Sequence, residues 1–114
     1  MSPYVIPGIK RTDIMLKADD TLKIDAVIAV VCRYTGISVE QMNSPSRKRE
    51  IVYARYMCMW FLRKYSKLTL KALGKIFGGR DHTTAIHAIN SVQDWSDVDL
   101  QTQWDLARIN EILF

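Results

Sequence analysis

The chain has 114 residues, 48% of them hydrophobic and 25% charged, with a formal net charge of +4. This length suits one domain with a hydrophobic core, and the composition excludes an intrinsically disordered tail, a collagen-like repeat and a disulfide-stabilised miniprotein. No apolar run approaches the ~18–20 residues that span a bilayer, and the N-terminus lacks the pattern of a signal peptide, so we expect no membrane association. The charge is unevenly spread, because residues 47–80 carry net +9 and residues 81–114 carry net −5.

The first predicted element is an N-terminal arm, residues 1–20, which contains two prolines and shows weak periodicity. Behind the arm, apolar residues recur with helical spacing, which predicts a helix that ends at Gly36 as its C-terminal cap. The inward stripe of this helix is Ile24, Val27, Ile28 and Val31. Ser38 and Gln41 have the spacing of a capping box and predict a short second helix, closed by residues 43–45.

A basic loop, residues 46–49, leads into a long predicted helix over residues 50–65. The apolar stripe of this helix is Ile51, Ala54, Cys58, Phe61, Leu62 and Tyr65. Its other faces carry Arg55, Arg63 and Lys64. We interpret Tyr53, Tyr56, Met57, Met59 and Trp60 as core or as an apolar contact surface.

Two short helices joined by a glycine turn follow. Thr69 caps a predicted helix over residues 70–77, and Asp81 caps another over residues 82–94. The inward residues of this second helix are Ala85, Ile86, Ile89 and Val92. Ser96 caps a last helix over about residues 97–113, with inward residues Leu100, Trp104, Ala107 and Ile112 or Leu113. These elements predict an all-α fold of five or six helices without a strand.

The two helices and their turn have the form of a helix-turn-helix, whose second helix enters the major groove of DNA. Gly74 allows the helices to approach closely, and Gly78 or Gly79 supplies a positive φ. The exposed N-terminal end of the second helix carries Asp81, His82, Thr83 and Thr84, followed on one stripe by His87 and Asn90. Carboxylate, hydroxyl, methyl and amide groups of these kinds read base edges.

The segment of net +9 is the predicted source of affinity, because the second helix contains no Lys or Arg. Its loop residues Arg47, Lys48 and Arg49 suit a minor groove, and Arg55, Arg63, Lys71 and Lys75 suit phosphates. We expect no nucleotide on this chain, because it has no glycine-rich phosphate loop. We expect no cofactor or metal, because His82 and His87 lack a third ligand nearby.

Residues 77–88, FGGRDHTTAIHA, closely resemble the signature of the C-terminal DNA-binding domain of the bacterial replication initiator DnaA. The likeness extends without a gap over about residues 21–95 and includes residues 37–42, 54–57 and 70–74. It predicts a DnaA-like domain over residues 21–95, with the acidic C-terminal helix of residues 96–114 packed on that domain or extending it.

The resemblance implies a compact multi-helix domain of the Trp-repressor-like helix-turn-helix class that recognises a short duplex box without catalysis. It implies base reading in the major groove by Asp81, His82, Thr83 and Thr84, and insertion of Arg47 into the adjacent minor groove. It implies DNA-backbone contacts for Arg55, Tyr56, Arg63, Leu70, Lys71 and Arg80. From the charge of the basic loop we predict further backbone contacts for Lys48 and Arg49. Pro45 and Ser46 stand where the family has more Lys or Arg. The family's ATPase module is not among these 114 residues, so ATP-driven assembly is not implied.

The leading hypothesis is sequence-specific binding of double-stranded DNA by a cytoplasmic, nucleoid-associated protein. A second hypothesis is an adaptor that keeps the fold without reading DNA, with a protein partner on the acidic C-terminal helix beside Trp95 and Trp104. A third is a nuclease that uses Asp81 and His82. We expect no enzyme, because these two residues lack a second carboxylate at metal-ligand spacing.

Overall fold

The computed structural model describes residues 19–113 and contains six helices and no strand within them. The all-α prediction is therefore confirmed. The helices are α1 (Asp20–Thr35), α2 (Val39–Asn43), α3 (Arg49–Tyr65), α4 (Leu70–Ile76), α5 (His82–Val98) and α6 (Leu100–Leu113). All but the last two residues of the predicted N-terminal arm lie outside the described residues.

Short-range sequence signals set most of the helix boundaries. Four helices begin at a side chain that accepts the backbone N–H three residues later, which satisfies one of the unpaired donors of the first turn. These caps are Asp19, Ser38, Thr69 and Asp81. The capping box is complete, since the Gln41 side chain also accepts the Ser38 N–H at 2.9 Å. Helix α1 ends at Gly36 with a φ of 78°, as predicted.

The helix α3 lies at the centre of the molecule and packs against α1, α2, α4 and α5. Its fully buried side chains are Ala54, Met57, Cys58, Met59, Phe61 and Leu62. They cover more than one face of the helix, so neighbouring helices must enclose it on several sides. Each large apolar side chain buried in this way contributes about 1.5–3 kcal/mol.

The boundary between the last two helices differs from the prediction. Helix α5 does not end at Asp94 but continues to Val98, and Ser96 lies inside it with its hydroxyl donating to the Gln93 carbonyl at 2.8 Å. A serine can make this bond within a helix and then offers no cap to the next one. Asp99 performs that function, because its carboxylate accepts the backbone N–H of Gln101 at 3.2 Å.

The inward face of α6 is also different from the one predicted. Leu100 and Trp104 are 79% and 60% exposed, and Ala107 is exposed as well. The buried side chains are instead Thr102, Asp105, Ile109 and Leu113, of which only Leu113 was predicted. The physical reason is a polar contact: the hydroxyls of Tyr34 and Tyr53 each donate to the Asp105 carboxylate at 2.7 Å. These bonds turn α6 so that a carboxylate faces α1 and α3.

Candidate nucleic-acid interface

The helix-turn-helix is formed by α4, the turn of residues 77–81 and the start of α5. Gly78 and Gly79 both have positive φ, 84° and 71°. Gly74 is buried, and a Cβ added there would lie 2.6 Å from the Asp81 carbonyl oxygen. The Arg80 N–H donates to the Gly74 carbonyl at 2.8 Å, which closes the turn. The glycine requirements predicted for a helix-turn-helix are therefore met at all three positions.

The first turn of α5 presents polar side chains to solvent. Asp81 Oδ1 accepts the backbone N–H of Thr84 at 3.0 Å and the Thr84 hydroxyl at 3.2 Å. The hydrogen bond from the Thr84 N–H lowers the pKa of Asp81 below its ordinary value, and the bond from the Thr84 hydroxyl lowers it further, so the carboxylate stays ionised at neutral pH. His82 and Thr83 are exposed, and their side chains make no hydrogen bond to any residue between 19 and 113. These two side chains are available to a ligand.

Aromatic contacts hold α5 against α3. Trp95 stacks on Tyr53 and on Tyr56, with ring centroids 5.6 and 5.9 Å apart. His87 meets the edge of Tyr56 at 5.8 Å, and its ring lies beside the Ser91 hydroxyl. Two turns of α5 are thereby fixed on α3, while the first turn projects beyond them. Ile86, predicted to face inward, is 39% exposed, because Ala85 and Ala88 occupy the inner positions.

The basic loop lies between α2 and α3. The side chains of Arg47, Lys48 and Arg49 are exposed. The loop backbone is supported by serines: Ser44 Oγ accepts the Ser46 N–H at 3.3 Å, and Ser46 Oγ accepts the Lys48 N–H at 3.2 Å. Local hydrogen bonds of this kind define an irregular segment that has no helical ladder.

The predicted position of Arg55 is wrong. Instead of lying on an outer face of the helix, its side chain is only 3% exposed. Its Nε donates to the Met42 carbonyl at 2.7 Å, and its Nη2 donates to the carbonyls of Ser44 and Ser46 at 3.0 and 3.2 Å. Burial lowers the pKa of Arg55, and the positive charge of the nearby Arg80 lowers it further. The sequence contained a signal for this burial, because Arg55 lies four residues after the buried Ile51 and residues four apart share one face of a helix.

Arg80 lies beside Arg55. It is half-buried, and its Nη2 donates to the Ser44 carbonyl at 2.7 Å while its Nη1 donates to the Phe77 carbonyl. Sequence reasoning assigned Arg80 a DNA contact but did not predict this bond to the preceding loop. The bond brings the start of α5 next to the segment that leads into Arg47.

The remaining predicted DNA-backbone residues are divided between surface and interior. Arg63 and Lys71 are exposed, and Arg63 Nη1 donates to the Leu68 carbonyl at 3.1 Å. Tyr56 and Leu70 are half-buried. Within residues 19–113 the only ion pair joins Arg108 and Glu111, at 3.7 Å. The ten basic side chains of residues 47–80 are therefore not neutralised by any described carboxylate.

Asp99 of the acidic part of the chain lies near the basic loop. Asp99, Arg47 and Arg49 line one open cavity of about 440 Å³, together with Trp95 and Thr102.

No described group of three His, Cys, Asp or Glu side chains is arranged to hold a metal ion. Among the described helices, none has the length and apolar character to cross a membrane.

The family model described as the bacterial dnaA protein helix-turn-helix matches residues 24–92. The chromosomal replication initiator protein DnaA of Gloeobacter violaceus is 39% identical over 89 residues, which is 78% of this chain and 20% of that protein. The DnaA of Bacteroides thetaiotaomicron is 32% identical over 113 residues, 99% of this chain and 23% of that protein. The DnaA of Thermus thermophilus is 34% identical over 85 residues, covering 75% of this chain and 20% of that protein. The chain thus spans about a fifth of the length of these relatives.

Proposed function

The chain belongs to the family of the bacterial DnaA helix-turn-helix, a DNA-binding domain, and from this premise we propose that it reads a short duplex box through two grooves. The first turn of α5 enters the major groove, and the basic loop enters the adjacent minor groove. One observation carries the proposal. The bond from Arg80 to the Ser44 carbonyl, 2.7 Å long, places the exposed start of α5 next to the exposed loop arginines.

The proposed base contacts come from Asp81, His82, Thr83, Thr84 and Arg47. In the major groove, a carboxylate accepts from a cytosine amino group, and threonine offers a methyl to thymine or a hydroxyl to either edge. A loop arginine suits a narrow minor groove, whose negative potential attracts a guanidinium. Asp81 also caps α5, and one carboxylate oxygen serves that cap.

The proposed DNA-backbone contacts come from Lys48, Arg49, Tyr56, Arg63, Leu70 and Lys71. Arg55 and Arg80 are not among them. The Arg55 side chain is buried and donates three hydrogen bonds to carbonyls of the chain. The Arg80 guanidinium donates to the carbonyls of Ser44 and Phe77. Exposed cations near phosphates release counterions, so their number sets the salt dependence of binding. No catalytic step is part of the proposal.

The names of the relatives, chromosomal replication initiator proteins, support a choice of DNA ligand. We therefore propose duplexes carrying DnaA boxes as the first ligands to examine. The matched region is the helix-turn-helix, and we propose for it the reading of the box alone.

The experiment is a selection of bound duplexes from a random pool, followed by titration of the selected duplex and a scrambled duplex at several salt concentrations. We expect affinity for the selected site about 10³-fold or more above that for the scrambled duplex, with a steep salt dependence for both. The charge-matched control is Arg33→Ala, an exposed arginine of α1 outside the basic segment, which should keep the preference. Equal affinity for all duplexes, or salt-independent binding, would contradict the proposal.

A second candidate is the adaptor hypothesis, and one observation favours it. Val98, Leu100 and Trp104 are 86%, 79% and 60% exposed at the α5–α6 junction and on the outer face of α6. The His82→Ala/Thr83→Ala double variant separates the two candidates. Unchanged DNA binding and no base preference in either protein would favour the adaptor, whereas loss of preference in the variant favours DNA reading.

A further inference from the structure

Two arginines from different parts of the chain converge on one carbonyl group. The Ser44 oxygen accepts from Arg55 Nη2 at 3.0 Å and from Arg80 Nη2 at 2.7 Å. Arg55 belongs to α3, Arg80 to the turn before α5, and Ser44 to the start of the loop that carries Arg47. One carbonyl thus connects the scaffold helix, the helix-turn-helix and the basic loop.

The Arg55 guanidinium also follows the path of the loop. Its three hydrogen bonds reach the carbonyls of Met42, Ser44 and Ser46, every second residue from the end of α2 into the loop. A guanidinium is planar and its N–H directions are fixed, so it specifies the positions of the acceptors more narrowly than a lysine ammonium does. Burying such a cation is costly, and these three hydrogen bonds to carbonyls offset part of that cost.

The packing of Gly78 provides separate evidence that loop and turn form one unit. A Cβ added at Gly78 would lie 2.7 Å from the Asn43 carbonyl oxygen, so the backbone of the turn is in close contact with the end of α2. This contact does not involve the Ser44 carbonyl. The end of α2, from which the loop starts, is therefore held against the turn by backbone packing as well as by the hydrogen bond from Arg80 to the Ser44 carbonyl.

We propose that Arg55 and Arg80 are positioning residues that fix the basic loop relative to the start of α5. Arg47 and the residues Asp81–Thr84 then reach neighbouring grooves as one preformed surface. A loop already held in its binding position loses less conformational freedom when DNA binds. This inference rests on the proposed function, and it gives the two arginines the role of holding the minor-groove loop and the major-groove helix in a fixed relative position.

The test uses the full chain with Arg80→Lys and Arg55→Lys, which keep the charge and remove the guanidinium. In Arg80→Lys we expect affinity for the selected duplex to fall about tenfold. The base preference at the edge of the site read by Arg47 should relax, while the preference at the positions read by α5 persists. The slope of log affinity against log salt should stay unchanged, because no charge is lost.

A double-mutant cycle with Arg47→Ala gives the decisive measurement. If Arg80 positions Arg47, removing Arg47 from the Arg80→Lys protein should cost far less than removing it from the wild-type chain. Additive losses, with full preference retained at the Arg47 edge, would overturn the inference while leaving the proposed function intact. A wild-type chain without any base preference would overturn both.

Two controls separate positioning from general loss of structure. Arg33→Lys is the matched substitution away from Arg55 and Arg80, and it should change neither DNA affinity nor base preference. Amide hydrogen exchange of the free proteins should show faster exchange at Ser46 and Lys48 in Arg80→Lys, with α1 unchanged. Equal exchange rates in the variant and the wild type would show that Arg80 does not fix the loop, and this result would overturn the inference independently of any DNA measurement. If Arg55→Lys fails to fold, Arg80→Lys carries the test alone, because its side chain is only half-buried.

Discussion

The basic region, residues 47–80, and the acidic region, residues 81–113, use their charges in opposite ways. Eight of the ten basic side chains are exposed, and none of the ten is paired with a described carboxylate. In the acidic region, by contrast, Asp81 and Asp99 cap helices and Asp105 is buried between two tyrosines. The eight exposed positive charges are thus left for a partner, while several of the negative charges stabilise the fold.

This difference separates two kinds of variant. Neutralising an exposed cation should weaken DNA binding and leave the free energy of unfolding nearly unchanged, because such side chains contribute little to stability. Removing a carboxylate that accepts hydrogen bonds should destabilise the fold.

The largest effect is expected at Asp105. In Asp105→Ala the hydroxyls of Tyr34 and Tyr53 lose their 2.7 Å hydrogen bonds to the carboxylate, and the free energy of unfolding should fall by about 2–4 kcal/mol. Urea unfolding monitored by circular dichroism measures this. Asp97→Ala, an exposed carboxylate of α5, is the control and should cost much less. A loss at Asp105 as small as that of the control would mean that its buried hydrogen bonds do not stabilise α6.

The same tyrosines predict a loss of stability in alkali. Burial raises the pKa of Tyr53, and burial together with the hydrogen bond to Asp105 raises the pKa of Tyr34. The unfolded chain ionises these groups near pH 10, whereas the folded chain holds them neutral. The free energy of unfolding should therefore be constant below about pH 10 with respect to these groups and fall above it. A Tyr34→Phe/Tyr53→Phe variant should show a shallower fall, and an equal fall would point to other groups.

The orientation of α6 could not be predicted from the sequence, in contrast to the caps and turns. Caps and glycine turns depend on residues three or four apart, so Ser38, Thr69, Asp81 and the turn glycines were predicted correctly. The face of α6 depends on Tyr34, which lies 71 residues before Asp105. Apolar periodicity ignores such polar partners, and it therefore assigned Leu100 and Trp104 to the core.

Arg55 was missed for a related reason. An arginine is mostly exposed unless it is paired, so a sequence interpretation places it outside. Here the partners are main-chain carbonyls of the loop, which no residue type reveals. The helix-turn-helix itself was accessible because its requirements are local, whereas the connection between loop and turn depends on tertiary contacts.

Among the binding residues, Arg47 should have the largest effect. Arg47→Ala should lower affinity for the selected duplex about tenfold and relax base preference at one edge of the site, since a minor-groove arginine reads groove shape. Stability should be unchanged, because the side chain is exposed. Competition against single-base variants of the selected duplex gives the position of the effect. A uniform loss at all positions would assign Arg47 to phosphate binding.

Arg63→Ala should produce a smaller and uniform effect. Removing one phosphate contact lowers the affinity for every duplex by a similar factor and reduces the salt slope by about one. The measurement is a titration of selected and scrambled duplexes over a range of salt. Arg33→Ala, with the same loss of charge outside the basic region, should leave the slope unchanged. A relaxed preference at one base pair would mean that Arg63 reads sequence.

Asp99 stands where the two regions meet, and it should have the smallest effect. Its carboxylate lines the cavity that Arg47 and Arg49 also line, so it opposes the attraction of phosphates to this loop. Asp99→Asn removes the charge and keeps an oxygen that can accept the Gln101 N–H, so α6 should retain its cap. We expect affinity for DNA to rise about twofold at low salt and the gain to shrink as salt increases, because exposed charges interact weakly and are screened. Asp25→Asn on α1 is the control for net charge. An equal gain in the control would show that the acidic region acts only through the total charge, whereas a gain confined to Asp99 would show that its position beside the loop matters.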